Sequence, residues 1–169
     1  MSDLLYEVKD KVATITLNRL IEVAGQVERD GRPATDDPTV RRKIGRMLAE
    51  TEVLRYTGLR ILSRLEKGER PGAESSVDKL YYSEMDKRHQ EQMQEILGPY
   101  GQLDELPPEL ALRGENQEGL DGSWAYNFLW SRAGVIYAGS SQIQKNIIGE
   151  RVLGLPREVR SDRLANSRE

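Results

Sequence analysis

Apolar and small residues recur at intervals of three and four along most of this chain. From Val40 they fall at Ile44, Met47, Thr51, Leu54, Gly58, Leu62 and Leu65, which is one face of a long α-helix. Asp36-Asp37-Pro38 ahead of this run supplies an N-cap with proline in the first turn. Gly68 and Pro71-Gly72 behind it supply the stop. A second stripe, Val77, Tyr81, Met85, His89, Met93 and Ile96, predicts a helix from Ser75-Ser76 to Leu97, broken by Gly98-Pro99-Tyr100-Gly101. Shorter helices are predicted over Leu20–Arg29 (stopped by Asp30-Gly31-Arg32-Pro33), Trp124–Arg132 and Ser141–Leu153. Only the first 19 residues carry a period of two. Leu5-Tyr6-Glu7-Val8-Lys9 and Val12-Ala13-Thr14-Ile15-Thr16-Leu17 alternate on either side of Asp10-Lys11, predicting a β-hairpin over residues 1–19. Such a hairpin is marginal in water and needs a covering surface. Residues 101–122 are rich in Gly, Pro and acids and read as a loop. The polar tail, 161–169 at its end, reads as frayed. The expectation is a mainly α, up-down helical bundle over residues 20–160 with a short N-terminal β-hairpin.

Composition sharpens this picture. The 169 residues fit one domain, and 31% charged with 6% aromatic residues suits amphipathic helices with solvated outer faces. A net charge of -3 leaves no basic footprint for nucleic acid. Cysteine is absent, which excludes disulfides and thiolate metal sites and favours a reducing compartment. No apolar run reaches membrane-spanning length and Met1-Ser2-Asp3 lacks a basic leader, so a soluble, cytoplasmic chain without membrane partners is expected. His89 is the single histidine and lies on an apolar stripe with Met85 and Met93, so it reads as a core or interface residue rather than a metal ligand. Arg41-Arg42-Lys43 reads as a solvated helix face. Trp124, Phe128 and Trp130 are candidates for core, interface or pocket wall.

The densest candidate chemistry lies in Ile136-Tyr137-Ala138-Gly139-Ser140-Ser141-Gln142-Ile143-Gln144-Lys145-Asn146-Ile147-Ile148-Gly149-Glu150-Arg151. A glycine turn leads into a helix opened by serines, and free N–H groups at a helix N-terminus suit a phosphate or a polar ring edge. A serine before an apolar-periodic segment is equally an ordinary N-cap. The literal string settles more than its chemistry does. It resembles the C-terminal signature of the acyl-CoA dehydrogenases, IYEGTSQIQ followed by a helix. Met47-Leu48-Ala49-Glu50-Thr51-Glu52 with Arg55 and Leu59 resembles the first long helix of that family's C-terminal domain. Ser75-Ser76-Val77-Asp78-Lys79-Leu80 resembles the S-x-x-K-L start of its next helix, and Glu95-Ile96-Leu97-Gly98-Pro99-Tyr100-Gly101 its QILGGxG turn.

The resemblance implies FAD as cofactor and oxidation of the α,β bond of an acyl-CoA, the chemistry of fatty-acid β-oxidation. It implies flavin contacts at Gly139, Ser140, Gln142, Glu95 and Gly98, with Arg32 in the loop place of the family's phosphate arginine and Tyr137 on the substrate side. It also implies a homo- or hetero-oligomer of acyl-CoA dehydrogenase-type subunits, because the QILGGxG turn touches a neighbour's FAD. Three departures stand out. Glu95 replaces the family's Gln, Pro99 its second Gly, and no Phe follows Arg32. The fourth bears on catalysis. Ala138 occupies the place of the glutamate that removes the substrate α-proton, and a methyl accepts no proton. A branch resembling isovaleryl-CoA dehydrogenase draws that glutamate from a helix far upstream. Glu22 is the nearest carboxylate to that helix's expected end and reads as a surface residue. No catalytic residue is therefore assigned.

Leu4 to Arg19 separately resembles the first hairpin of the enoyl-CoA hydratase (crotonase) family, without that family's oxyanion-hole segment or catalytic residues. Two readings compete: a dehydrogenase domain that is incomplete and inactive alone, and a non-catalytic assembly subunit that completes a partner's FAD site. Hydratase activity has no residues to carry it.

Overall fold

The computed structural model describes residues 17–70, 72–103 and 124–157. Residues 1–16, 104–123 and 158–169 lie outside it, and with them most of the expected N-terminal hairpin, the acidic loop and the tail.

Residues 17–26 form a helix, α1. Leu17, expected to end a strand, instead shares a buried face with Leu20, Val23, Ala24 and Val27. Their three- and four-residue spacing decides the matter, because it gathers five apolar side chains onto one core. The helix stops at residue 26 rather than at Arg29. Glu28–Arg29 (β1) and Arg32–Pro33 (β2) then pair antiparallel, with Glu28 opposite Pro33 and Arg29 opposite Arg32. The connecting Asp30 and Gly31 have φ of 52° and 72°, the paired positive values of a tight hairpin turn for which Asp-Gly is the favoured dipeptide. Among the described residues, the two-stranded hairpin lies between α1 and the first long helix.

That long helix, α2, is Pro38–Glu66. Asp37 caps it, its carboxylate accepting the Thr39 N–H at 2.7 Å. It buries Val40, Ile44, Met47, Thr51, Leu54, Gly58 and Ile61. The expected Leu62 and Leu65 are only half-buried, because the alternation of four- and three-residue steps reaches Ile61 after Gly58. Gly68, at φ 77°, closes the helix as its backbone N–H donates to the Leu65 carbonyl. The second long helix, α3, is Ser75–Leu97 and runs antiparallel to α2. Thr57 meets Asp78, Glu50 meets Tyr81 and His89, and Lys43 meets Glu95. A five-residue 3-10 segment, Gly98–Gln102, follows. Trp124–Gly134 (α4) and Ser141–Ile147 (α5) pack on α3, and α5 continues as a wider π turn over Ile148–Val152.

Because α3 touches α2, α4 and α5, it is buried on more than the single predicted face. Asp78, Ser83 and Gln90 are covered along with Met85, His89, Met93 and Ile96, whereas Val77 is exposed. The apolar core is concentrated at one end. It joins α1, the first half of α2, Met93, Ile96 and Leu97 of α3, and the fully buried Trp124. At the other end the buried groups are largely polar: Asp78, Ser83, Ser131, Ser141 and Gln144.

Candidate functional site

The turn between α4 and α5 is held from behind by hydrogen bonds. The Ile136 and Tyr137 N–H groups donate to the Ala133 carbonyl at 2.9 and 3.0 Å, and the Ser141 N–H to the Val135 carbonyl at 3.0 Å. Lys79, in the first turns of α3, donates from Nζ to the carbonyls of Gly134 at 3.1 Å and Gly139 at 2.8 Å. The Gln144 amide donates to the Ala138 carbonyl at 3.0 Å. The Ser141 hydroxyl donates to Glu84 at 2.6 Å. Ser140 is the N-cap of α5, its hydroxyl accepting the Ile143 N–H at 3.4 Å.

This clamp imposes an unusual backbone. Ala138 has φ 53° and Gly139 φ 91°. The left-handed region disfavours any residue with a Cβ, and glycine meets that demand at only one of the two positions. A Cβ on Gly139 would lie 2.6 Å from the Gln144 amide nitrogen. The front of the turn is open: Tyr137, Ala138 and Gln142 are exposed. The Tyr137 ring continues an aromatic row along α4, 6.5 Å from Trp130, which stacks on Tyr126 at 6.3 Å. Trp130 is 56% exposed, so it is a surface residue, whereas Trp124 belongs to the core. Phe128 lies under the Arg132 guanidinium at 4.2 Å.

The remaining candidates sit at the opposite end of α3. Gly98 ends that helix at φ 59°, and the space beyond its Cα is open. Glu95 is exposed and paired with Lys43 of α2. Arg29 of β1 donates to the Glu95 and Ile96 carbonyls, which seats the hairpin carrying the exposed Arg32 at this same corner. Sixteen residues separate Lys79 from Glu95 along α3, an axial distance of about 24 Å at 1.5 Å per residue. The sequence candidates therefore form two groups, Tyr137 to Gln142 at one end and Arg32, Glu95 and Gly98 at the other.

The two ends differ chemically. The α4–α5 turn offers an exposed ring, a methyl and an amide, a surface compatible with the edge of a planar polar ring. The corner offers the Glu95 carboxylate, neutralised by Lys43, the exposed Arg32, and Pro99, which has no N–H to give an anion. Glu22 is exposed, paired with Arg19 at 2.7 Å, and sits on the helix that packs against Met93 and Leu97, away from Ala138.

His89 is buried and its Nε2 lies 2.9 Å from Glu50. Burial pulls its pKa below the usual value, against the opposing pull of Glu50. Burial acts to raise the Glu50 carboxyl, but Arg88, His89 and Arg46 outweigh it and hold the group below its ordinary range. This is a structural pair between α2 and α3. Among the described residues no group of three or more His, Cys, Asp or Glu could hold a metal ion, and no helix is long and apolar enough to cross a membrane. Sequence reasoning missed Lys79, Glu84 and Gln144 as the groups that build the turn. Lys79 stands in the S-x-x-K-L motif, but only the packing of α3 on α4 shows what its ammonium holds.

Residues 12–153 match the family model described as acyl-CoA dehydrogenase, C-terminal domain. That match begins at residue 12, inside the stretch that resembles a crotonase hairpin. The chain is 33% identical over 144 residues to acyl-CoA dehydrogenase IpdE1 of Mycobacterium tuberculosis, covering 85% of this chain and 32% of that protein. Among solved structures it resembles the ChsE4-ChsE5 complex from Mycobacterium tuberculosis, with TM-score 0.67, 24% identity, and coverage of 87% of this chain and 36% of that one. It also resembles the Tcur3481-Tcur3483 steroid ACAD, with TM-score 0.58, 22% identity, and coverage of 73% and 30%. The chain thus spans about a third of the length of the curated relatives it matches, 32% and 37%. On the breadth of the family match, together with the helical fold, this chain belongs to the acyl-CoA dehydrogenase family and carries its C-terminal domain.

Proposed function

We propose that the chain acts within a hetero-oligomer of acyl-CoA dehydrogenase-type subunits, where its α4–α5 turn lines one side of a flavin site and a carboxylate from outside the turn takes the substrate α-proton. The separation of the two candidate groups by the length of α3 carries this reading. Groups about 24 Å apart along one helix do not converge on one reacting centre, which supports a site completed by groups from outside this chain. A bound flavin would supply the hydride acceptor for oxidation of the acyl α,β bond. The residues of this chain supply shape: Lys79 and Gln144 hold the turn, the Tyr137 ring and the Ala138 methyl face outward, and Gln142 offers an amide. Ala138 cannot act as a base.

Two further observations support a partnered state. The exposed apolar residues Leu129, Trp130, Ile136, Tyr137, Ile143 and Leu153 crowd the α4–α5 end, and contiguous exposed apolar surface marks an interaction site. The ChsE4-ChsE5 structure is by its description a complex, which makes a second dehydrogenase-type subunit the partner to seek. The steroid named for the Tcur3481-Tcur3483 protein makes a steroid-derived acyl-CoA the first substrate to test.

The experiment is to purify the chain, record its flavin absorbance and oligomeric state, and assay acyl-CoA oxidation with an artificial electron acceptor. A colourless oligomer without turnover is expected. Bound FAD with turnover by the chain alone would overturn the reading and establish a self-sufficient dehydrogenase.

A further inference from the structure

The structure assigns Lys79 a role that the motif around it does not reveal: we propose that it is the positioning residue of the α4–α5 turn, fixing where Tyr137 and residue 138 are presented. The functional meaning of that turn rests on the reading above; the clamp itself does not.

Three observations carry the assignment. First, one ammonium spans both ends of the turn. Lys79 Nζ donates to the Gly134 carbonyl, where α4 ends, and to the Gly139 carbonyl, just before the N-cap of α5. A single point charge with three donors suits two converging carbonyls and leaves one donor over. Second, Lys79 is anchored beside Glu84, one further α3 turn along, which attracts the ammonium and accepts the Ser141 hydroxyl at 2.6 Å. The turn is thus gripped at Gly134, Gly139 and Ser141 by two side chains of one rigid helix. Third, Ala138 sits at φ 53° between these grips. A non-glycine residue persists there only where its surroundings over-determine the backbone, and the Lys79 contacts bracket it together with the Gln144 amide and the Ser141 N–H bond to the Val135 carbonyl.

The placement also explains why this end of the bundle needs a charge. The apolar core lies at the other end, and the Tyr137 and Ile136 side chains face outward, so little hydrophobic burial holds the turn. Desolvation pulls the Lys79 pKa below its usual value, against the attraction of Glu84, so the two carbonyls and Glu84 are what keep the ammonium at the turn.

The test is hydrogen exchange on the full chain, comparing Lys79→Met, Lys79→Arg and Gln144→Ala. Losing two charge-assisted bonds is expected to speed exchange of the amides of residues 135–141 by about tenfold or more in Lys79→Met. Exchange across residues 44–54 of α2 should be unchanged. Lys79→Arg should stay within about threefold of wild type, because a guanidinium also offers several donors to the two carbonyls. Gln144→Ala, which releases only the Ala138 carbonyl, should loosen the segment less than Lys79→Met. The near-UV circular dichroism of the Trp130–Tyr137 pair should fall in parallel with the loss of protection. Unchanged exchange at 135–141, an equal rise throughout the bundle, or a Gln144→Ala effect as large as that of Lys79→Met would overturn the proposal. Should Lys79→Met fail to fold, Lys79→Gln carries the same comparison. The exchange pattern decides the clamp whether or not any assembly of the chain takes up FAD, so failure of the flavin reading is separately visible.

Discussion

Replacing Gly139 by alanine tests the turn at its most constrained atom. Two costs add. The backbone sits at φ 91°, where an L-residue is disfavoured by about 1–2 kcal/mol. The new Cβ would also lie 2.6 Å from the Gln144 amide nitrogen. That atom ends a flexible side chain, so it swings away rather than clashing, and the cost is its 3.0 Å bond to the Ala138 carbonyl. A net hydrogen bond is worth about 0.5–1.5 kcal/mol, so the total is about 1.5–3.5 kcal/mol. Gly68 supplies the reference. It has φ 77° with nothing within 4 Å of its Cβ direction, so Gly68→Ala should cost the backbone share alone, about 1–2 kcal/mol. Urea unfolding of both variants at unchanged slope gives the comparison. Adding Gln144→Ala completes a double-mutant cycle. On that background Gly139→Ala should cost only the strain, a coupling of about 0.5–1.5 kcal/mol. If Gly139→Ala is no worse than Gly68→Ala, or if the coupling is zero, Gln144 does not support this turn and the reasoning is wrong.

Three other outcomes follow from the same structure. Ala138→Gly should stabilise the chain by up to about 1 kcal/mol in urea unfolding, because it relieves a left-handed alanine while adding glycine's unfolded-state entropy; a loss of stability would show that Ala138 is not strained. Trp124→Ala empties the centre of the apolar cluster, where the side chain is 0% exposed, and should cost about 3–5 kcal/mol; a cost below about 1 kcal/mol would place the core elsewhere. Burial holds the folded His89 pKa below the ordinary histidine value of 6.5, so below that pH the unfolded chain binds the proton more readily and stability falls as pH drops. Asp86, raised by burial from 3.8, works in the opposite sense from about pH 4 upward. The difference between wild type and His89→Gln therefore isolates the histidine, and it should shrink from pH 7 to pH 5.5; a difference independent of pH across that interval would refute the assignment.

The two long helices were legible because their signal is local. A stripe from Val40 to Gly58 and one from Met85 to Ile96 identify buried faces without reference to any partner. Asp37-Pro38 and Gly68 mark the ends through backbone chemistry that operates within a few residues. The same local rules misassigned Leu17, while most of the expected N-terminal hairpin lies outside the described residues. Alternation through Val12–Leu17 predicted a strand reaching Leu17, yet Leu17 and Leu20 complete the helical face of α1. A short apolar run satisfies both periods, and the core decides between them. The Asp30-Gly31 turn was read only as a helix stop, although it forms the hairpin itself.

The sequence by itself determined the family and the helical bundle, through Tyr137 to Arg151 and the S-x-x-K-L and Gly98 turn motifs. It also determined the chemistry missing from the turn, since Ala138 has no carboxylate whatever the fold. Only the tertiary structure decided where the candidates lie. Motif strings carry no distances, so Glu95 and Gly139 read as one list of cofactor contacts. Antiparallel packing along a 23-residue helix puts them at opposite ends. Tertiary structure likewise turned Lys79 from a motif letter into the clamp of the turn, because its two acceptors, Gly134 and Gly139, lie 55 and 60 residues away along the chain and come within reach only when α4 and α5 pack on α3.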